Sequence, residues 1–310
     1  MRGIFMDSRF KWGALCVLGI VAFIAVFQMN KEQSSEIAPG EQTQNDGAPQ
    51  SLEEQPAETM ATSPAGVLPD VRRPPATATT EVPEFGEIFN IRERKEAFFS
   101  YLLPAIRDEN ERIRRQRRAL LRLQAKYHTA GLSMQEQRWV SQLAEYYDLD
   151  TEVNEETLPE VLTVLERRVD VIPETLVLVQ AANESGWGRS RFAQSARNFF
   201  GQWCWSQGCG IVPSQRPDGQ VYEVRLFDSM EASIRSYMRN LNTHYAYQDL
   251  RGIREQMRAA EEPITATPLT EGLTSYSERG EEYVEELQQM IRVNQPIIEN
   301  VGETLSAEGS

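Results

Sequence analysis

Between Leu176 and Trp187 the chain reads LVLVQAANESGW, apolar on nearly every side of a helical wheel. A helix without a broad polar face belongs inside a fold, so this stretch is expected to be a buried central helix. Ile172-Pro173-Glu174 opens it, with Pro suited to the first turn, and Gly186 and Gly188 supply the stop. Whatever else the chain does, it must wrap other elements around this one.

Those elements are mostly helical. Ile88, Phe89, Ile91, Phe98, Phe99, Leu102, Leu103 and Ile106 recur at helical spacing, and Ile113 and Leu120 continue the stripe at sevens. The reading is one or two helices, interrupted or restarted at Pro104. Short helices are expected within 133–170, then at 229–245 and 253–260, with a final amphipathic helix over 277–293 ended by Pro296. Asp218-Gly219, followed by the alternation Val221-Tyr222-Glu223-Val224-Arg225-Leu226, signals one β-hairpin. No internal repeat is visible.

Before the folded part lie two segments of different character. Gly13 to Phe27 is a run without charge, preceded by Arg2, Arg9 and Lys11. As a helix from Trp12 to Met29 it spans roughly 27 Å, close to a hydrocarbon core of about 30 Å, and the charge asymmetry places its C-terminal side outside the cytoplasm. Residues 1–30 are therefore expected to be an uncleaved inner-membrane anchor, with a removed signal segment as the other reading. Residues 31–84 hold eight prolines and ten acidic groups against three basic ones, which predicts a disordered linker. A helical extension is expected over 85–164, a catalytic domain over 165–300 and a frayed tail over 301–310.

The chain carries a formal charge of -14, which argues against nucleic acid as a partner. Residues 91–128 run against that balance, with eleven Lys and Arg against five acids. A solvated helix face explains them, and so does contact with an anionic lipid or cell-wall polymer. Cys204 and Cys209 lie five apart in WCWSQGCG, and in an exported chain they are expected to form a local disulfide. On chain entropy such a loop contributes only about 2 kcal/mol, so its use is to shape the loop. Zinc is the competing reading, but His128 and His244 offer no ligand spacing, and no metal or other cofactor is expected.

The chemistry centres on Glu184. It shares a helix face with Val177, Gln180 and Ala181, in the last turn of an apolar helix. Poor hydration there raises a carboxyl pKa, and the negative end of the helix dipole acts in the same direction. Such a carboxyl stays protonated near neutral pH and can serve as a general acid. A polar helix-end residue is the plain alternative. The following Asn198-Phe199-Phe200-Gly201-Gln202-Trp203-Cys204-Trp205 can line a groove of aromatic and amide groups, the kind on which sugar rings stack.

The runs QAANESGWGRSRFA and ARNFFGQW, with RRVDVIPETLVLVQ before them and WCWSQGCGIVP after, resemble the glucosaminidase domain of bacterial cell-wall hydrolases. That is the endo-β-N-acetylglucosaminidase family, which includes the flagellar peptidoglycan hydrolase. The resemblance covers about residues 165–295. It implies a lysozyme-like, mainly α domain with a small β-hairpin lobe, and hydrolysis of the β-1,4 bond after N-acetylglucosamine in peptidoglycan. It implies that Glu184 is the proton donor. Tyr276, in Leu273-Thr274-Ser275-Tyr276-Ser277, matches the Tyr of the family's Tyr-Ala-Thr segment. Asn198, Phe199 and Gly201 match its Asn-Leu/Phe-Phe-Gly segment.

The match breaks at the hairpin. Relatives carry a second Glu about four residues before the hairpin Gly, and counting back from Gly219 reaches Gln215. Gln cannot act as a base, so Glu223 (ranked first) or Asp218 substitutes, or the sugar's 2-acetamido group assists. Two other readings stay open: a glycan-binding or scaffolding module without activity, and a lytic transglycosylase working with Glu184 alone.

Overall fold

The structure, a computed structural model, describes residues 67–308 apart from 215 and 218. The expected anchor, residues 31–66 of the expected linker, Gln215 and Asp218 lie outside the described residues. The element order is α1 Ile91–Ala130, α2 Met134–Tyr146, α3 Leu158–Arg168, α4 Glu174–Ser185, α5 Arg191–Ala196, β1 Trp203–Cys204, β2 Gly210–Ile211, β3 Glu223–Arg225, α6 Met230–Thr243, α7 Gln248–Ala259, α8 Ala266–Thr270 and α9 Glu281–Glu308. The protein is mainly helical, with one small sheet.

The expected central helix is α4. Leu176, Val177, Leu178, Val179, Gln180, Ala181, Ala182 and Ser185 are all buried, and α1, α8 and α9 pack around it. One contiguous core runs from Val71 to Val301, so the helices before residue 165 share the core of the expected catalytic domain. They are not an appendage to it.

Helix α1 begins at Asn90, whose side chain accepts from the amides of Arg92 and Glu93, and it passes through Pro104 unbroken. Pro104 sits on the exposed side, while its neighbours Leu102, Leu103, Ala105 and Ile106 are buried. Their packing outweighs a local cost of about 3 kcal/mol. The same holds at the other end of the chain. α9 does not stop before Pro296; it continues to Glu308, burying Ile298, Val301 and Gly302. The expected tail is thus helix over 301–308, with the Arg107 guanidinium donating to the Gly302 carbonyl at 3.4 Å.

The linker expectation also fails over 67–84. Val71 is buried, and its carbonyl accepts from Arg112 at 3.3 Å and Gln116 at 3.2 Å. Trp139 donates to the Pro69 carbonyl at 2.7 Å. Further along, the buried Glu231 carboxylate accepts from the Thr77 hydroxyl and the Thr79 amide, each at 2.9 Å. The strap ends at Phe85, fully buried against Phe98 and Tyr101. Composition measures how much apolar surface a segment buries by itself. This one is held through its backbone polar groups by partners far along the chain.

The sheet has the order β1-β3-β2, all antiparallel, pairing Trp203 with Val224, Cys204 with Glu223, and Ile211 with Val224. β2 and β3 pair as the expected hairpin, but their connection is longer than a two-residue turn, running over 212–222; within it the Gln220 amide donates to the Pro217 carbonyl at 3.3 Å and Gly219 is left-handed at φ 84°. The sheet is tied back to the helices just past β3, where the Phe227 amide donates to the Ala196 carbonyl at the end of α5, at 3.0 Å.

Candidate active site

The end of α4 is closed by a glycine stop. Gly186 is left-handed at φ 57°, and the Trp187 amide returns to the Ala182 carbonyl at 2.9 Å. The Ser185 hydroxyl donates to the Ala181 carbonyl at 2.6 Å and accepts from the Gly188 amide at 2.8 Å. The chain therefore turns sharply away, leaving Glu184 half-buried at the helix end.

Burial raises the Glu184 carboxyl from 4.5 to about 7. Hydrogen bonding from Tyr283 and the charge of Arg279 oppose that rise, and Glu286 adds to it. The Tyr283 hydroxyl donates to Glu184 Oε1 at 2.9 Å and accepts from Gln180 Nε2 at 3.0 Å. The Tyr237 hydroxyl in turn donates to Gln180 Oε1. Burial holds both tyrosine hydroxyls well above their ordinary pKa, so they remain donors at any physiological pH. The second oxygen, Oε2, faces Gly201: a Cβ at that glycine would lie 3.9 Å away.

Tyr276 lies close by but does not hydrogen-bond Glu184. Its ring stacks on Tyr283 with centroids 5.4 Å apart, and its hydroxyl donates to the Phe200 carbonyl at 3.2 Å. It closes the wall beside the carboxyl. Arg279 forms an ion pair with Glu286 and places its guanidinium 5.8 Å from the Tyr283 ring centre.

The expected groove is only partly a groove. Phe199 is fully buried with Phe98 and Tyr101, and Phe200 stacks on Tyr237 at 3.9 Å, so both rings belong to the core. Asn198 is 2 % exposed; its amide donates to the carbonyls of Gln202 at 2.8 Å and Arg225 at 3.0 Å, and its oxygen accepts from the Gln202 amide at 3.0 Å. The Gln202 side chain turns to α6, where it meets the Ser233 carbonyl and the Ser236 hydroxyl. Their packing and hydrogen bonds shape the loop. Gly201, beside Glu184, is half-buried, and so are Trp203 and Trp205 further along the loop.

Cys204 and Cys209 form the expected disulfide, which leaves neither thiol for a metal. Glu223, the carboxylate ranked first as a second acid or base, is taken up by the disulfide loop. Its oxygens accept from the amides of Gly208 at 3.0 Å and Gly210 at 2.8 Å, and these donors, with the Arg216 charge, hold its pKa low. Its task in the structure is to bind the disulfide loop. Among the described residues no three His, Cys, Asp or Glu side chains converge as metal ligands.

Sequence reasoning missed Tyr283, Tyr237, Arg279 and Glu286. Tyr283 sits on the apolar stripe of α9 with Val284, Leu287 and Ile291, where it reads as plain core. Nothing in its own neighbourhood shows that its hydroxyl points at a carboxyl 99 positions earlier.

Residues 160–296 match the family model described as mannosyl-glycoprotein endo-beta-N-acetylglucosaminidase, the glucosaminidase family. Over 205 residues the chain is 34% identical to Protein bax of Escherichia coli (strain K12), an alignment covering 66% of this chain and 71% of that protein. This chain belongs to the Bax-like glucosaminidase-domain family. No solved structure matches it. The family match begins in α3, takes in α4, the sheet and the following helices, and ends at Pro296 inside α9. The strap and most of α1–α3 lie outside it, although they share its core. As a glucosaminidase-domain protein, the chain has a family association that points to hydrolysis related to peptidoglycan.

Proposed function

We propose that this protein hydrolyses the β-1,4 glycosidic bond after N-acetylglucosamine in peptidoglycan, with Glu184 as general acid. The observation that carries the reading is the state of that carboxyl: half-buried, raised to about 7, and hydrogen-bonded by Tyr283 on one oxygen while the other faces the Gly201 loop. A carboxyl of this kind holds a proton near neutral pH and delivers it to the leaving glycosidic oxygen as an oxocarbenium-like transition state develops. Tyr283 then stabilises the carboxylate that forms, because its hydrogen bond favours the charged state.

Among the described residues, Glu223 is engaged by loop amides and Glu286, whose charge acts on Glu184, by Arg279. That favours attack on the anomeric carbon by a neighbour in the substrate, its 2-acetamido oxygen, ahead of water activated by a second protein carboxylate; water then opens the oxazolinium ion so formed and gives its proton to the Glu184 carboxylate. The same observation supports a second reading, a lytic transglycosylase, in which a muramyl hydroxyl attacks. We place the domain outside the cytoplasm, tethered to the inner membrane by residues 1–30, with peptidoglycan strands as partner and no cofactor.

The test is incubation of the full chain, wild type and Glu184→Gln, with purified peptidoglycan, and mass spectrometry of the products. Reducing N-acetylglucosamine ends made only by the wild type are expected. Anhydro-muramyl ends would establish the transglycosylase, and binding without cleavage would establish a non-catalytic module.

A further inference from the structure

The disulfide-closed loop has two faces with different contents. Trp203 pairs with Val224 across the strands, and Cys204 pairs with Glu223, so the side chains of each pair share a face and the two pairs point to opposite sides. On one side Tyr222 is the buried ring that both tryptophans meet edge-on, Trp203 at 4.9 Å and Trp205 at 5.9 Å. Tyr222 is 7 % exposed, whereas Trp203 and Trp205 are half-buried and keep ring surface open. On the other side Cys204 is bonded to Cys209, and Glu223 takes the amides of Gly208 and Gly210, one on each side of Cys209 in the chain.

The loop also begins at the catalytic carboxyl. Gly201, which Oε2 of Glu184 faces, is two residues before Trp203, and Asn198 locks the intervening turn by three hydrogen bonds to Gln202 and Arg225. A sugar chain lying over Gly201 therefore meets the tryptophans next. Flat aromatic rings with exposed faces bind the axial C–H faces of pyranoses, and they do so in proportion to how rigidly they are held.

We infer that Trp203 and Trp205 form a platform for a pyranose ring adjoining the scissile bond, and that Glu223 is the positioning residue that sets the platform's shape from behind, taking no part in bond breaking. The inference rests on the glycosidase reading of Glu184 for its location. It goes beyond that reading in assigning a binding function to Trp205 and a non-catalytic one to the carboxylate that sequence position most recommended as the second acid. The chemistry requires a carboxylate at 223 because only two acceptor oxygens can serve both amides; Gln offers one acceptor and turns an N–H toward the other amide. The Gly208 and Gly210 amides hold the carboxylate charged, and Arg216, 4.0 Å away, acts in the same direction.

The experiment separates positioning from catalysis and from failure of the glycosidase reading. In the full chain with intact Glu184, Glu223→Gln is expected to raise KM for peptidoglycan strands by about tenfold, the worth of about 1.4 kcal/mol of binding, while kcat changes less than about twofold. The pH limb set by Glu184 stays in place. A fall in kcat of about a thousandfold at unchanged KM, restored by added azide, would overturn the inference and make Glu223 the second catalytic carboxylate. Binding is read separately in Glu184→Gln chains by co-sedimentation with insoluble peptidoglycan. Adding Glu223→Gln there is expected to weaken binding about tenfold, and equal binding overturns the positioning role of Glu223. Trp205→Ala, which leaves Glu223 and the loop amides in place, must weaken it by a similar factor; unchanged binding overturns the platform even where Glu223→Gln fails to fold. A wild type that binds but does not cleave defeats the glycosidase reading, and the two binding comparisons still decide the platform.

Discussion

Tyr283 donates its hydroxyl to Glu184 Oε1 at 2.9 Å, joining the first turn of α9 to the last turn of α4. The bond works against the burial that raises the carboxyl to about 7, because it stabilises the charged form. In Tyr283→Phe the Glu184 pKa must therefore rise, and the alkaline limb of the pH–rate profile moves to higher pH. With Glu184 as the proposed general acid, the maximal rate is expected to fall about tenfold, since the lost bond is to a group that would become charged in the reaction. Glu184→Gln removes the acid itself and should cost on the order of a thousandfold. Hydrolysis rates measured from pH 5 to 9 check both, and an alkaline limb that moves down in Tyr283→Phe would contradict the assigned sign.

The same carboxyl makes folding depend on pH. Its folded pKa, about 7, lies above the ordinary 4.5, so between those values the folded state holds a proton that the unfolded state has released. Stability therefore falls as pH rises through that window and is flat above it. Glu184→Gln has no such proton to lose. It is expected to match the wild type in stability at pH 4 and exceed it at pH 8, by at most about 3 kcal/mol. Denaturant unfolding at the two pH values reads the difference, and a less stable Glu184→Gln at pH 8 would argue against a strained carboxyl.

Arg279 and Glu286 act on Glu184 with opposite signs from within one ion pair. Arg279→Gln removes the cation and leaves the Glu286 charge, so the alkaline limb moves up. Glu286→Gln leaves the cation and moves it down. Both shifts should shrink in high salt, because the pair is partly exposed. Shifts in the same direction would mean that the pair acts through packing and not through charge.

Residues 67–84 are expected to be part of the folding unit. A chain beginning at residue 85 loses the Val71 contacts, the Pro69–Trp139 bond and the partners of Glu231. It should melt at least about 5 °C below a chain beginning at residue 67. Glu231→Ala in the longer chain should cost about 2 kcal/mol, since it strips the acceptor from the Thr77 hydroxyl and the Thr79 amide. Equal melting temperatures for the two chain lengths would return the strap to the status of a spacer.

At the helix level the sequence was a good guide where burial is one-sided or complete. The apolar run of α4 and its glycine stop needed no partner to be recognised, and that local pattern is enough to put Glu184 at a poorly hydrated helix end. Pro104 and Pro296 misled because a local backbone cost was weighed without the packing that exceeds it. Phe199 and Phe200 misled in the other direction: adjacent aromatics can line a groove or fill a core, and only Phe98, Tyr101 and Tyr237 decide which.

By itself, then, the chain determined a buried helix ending in a carboxyl, a short disulfide and a mainly helical domain, because hydrophobic periodicity, glycine stops and cysteine spacing are local. The tertiary structure alone decided what that carboxyl touches and what Glu223 binds. Tyr283 reaches Glu184 across 99 positions, and Thr77 reaches Glu231 across 154. Bonds of that range depend on which faces of distant elements meet, and no pattern along the chain records the orientation of a single hydroxyl.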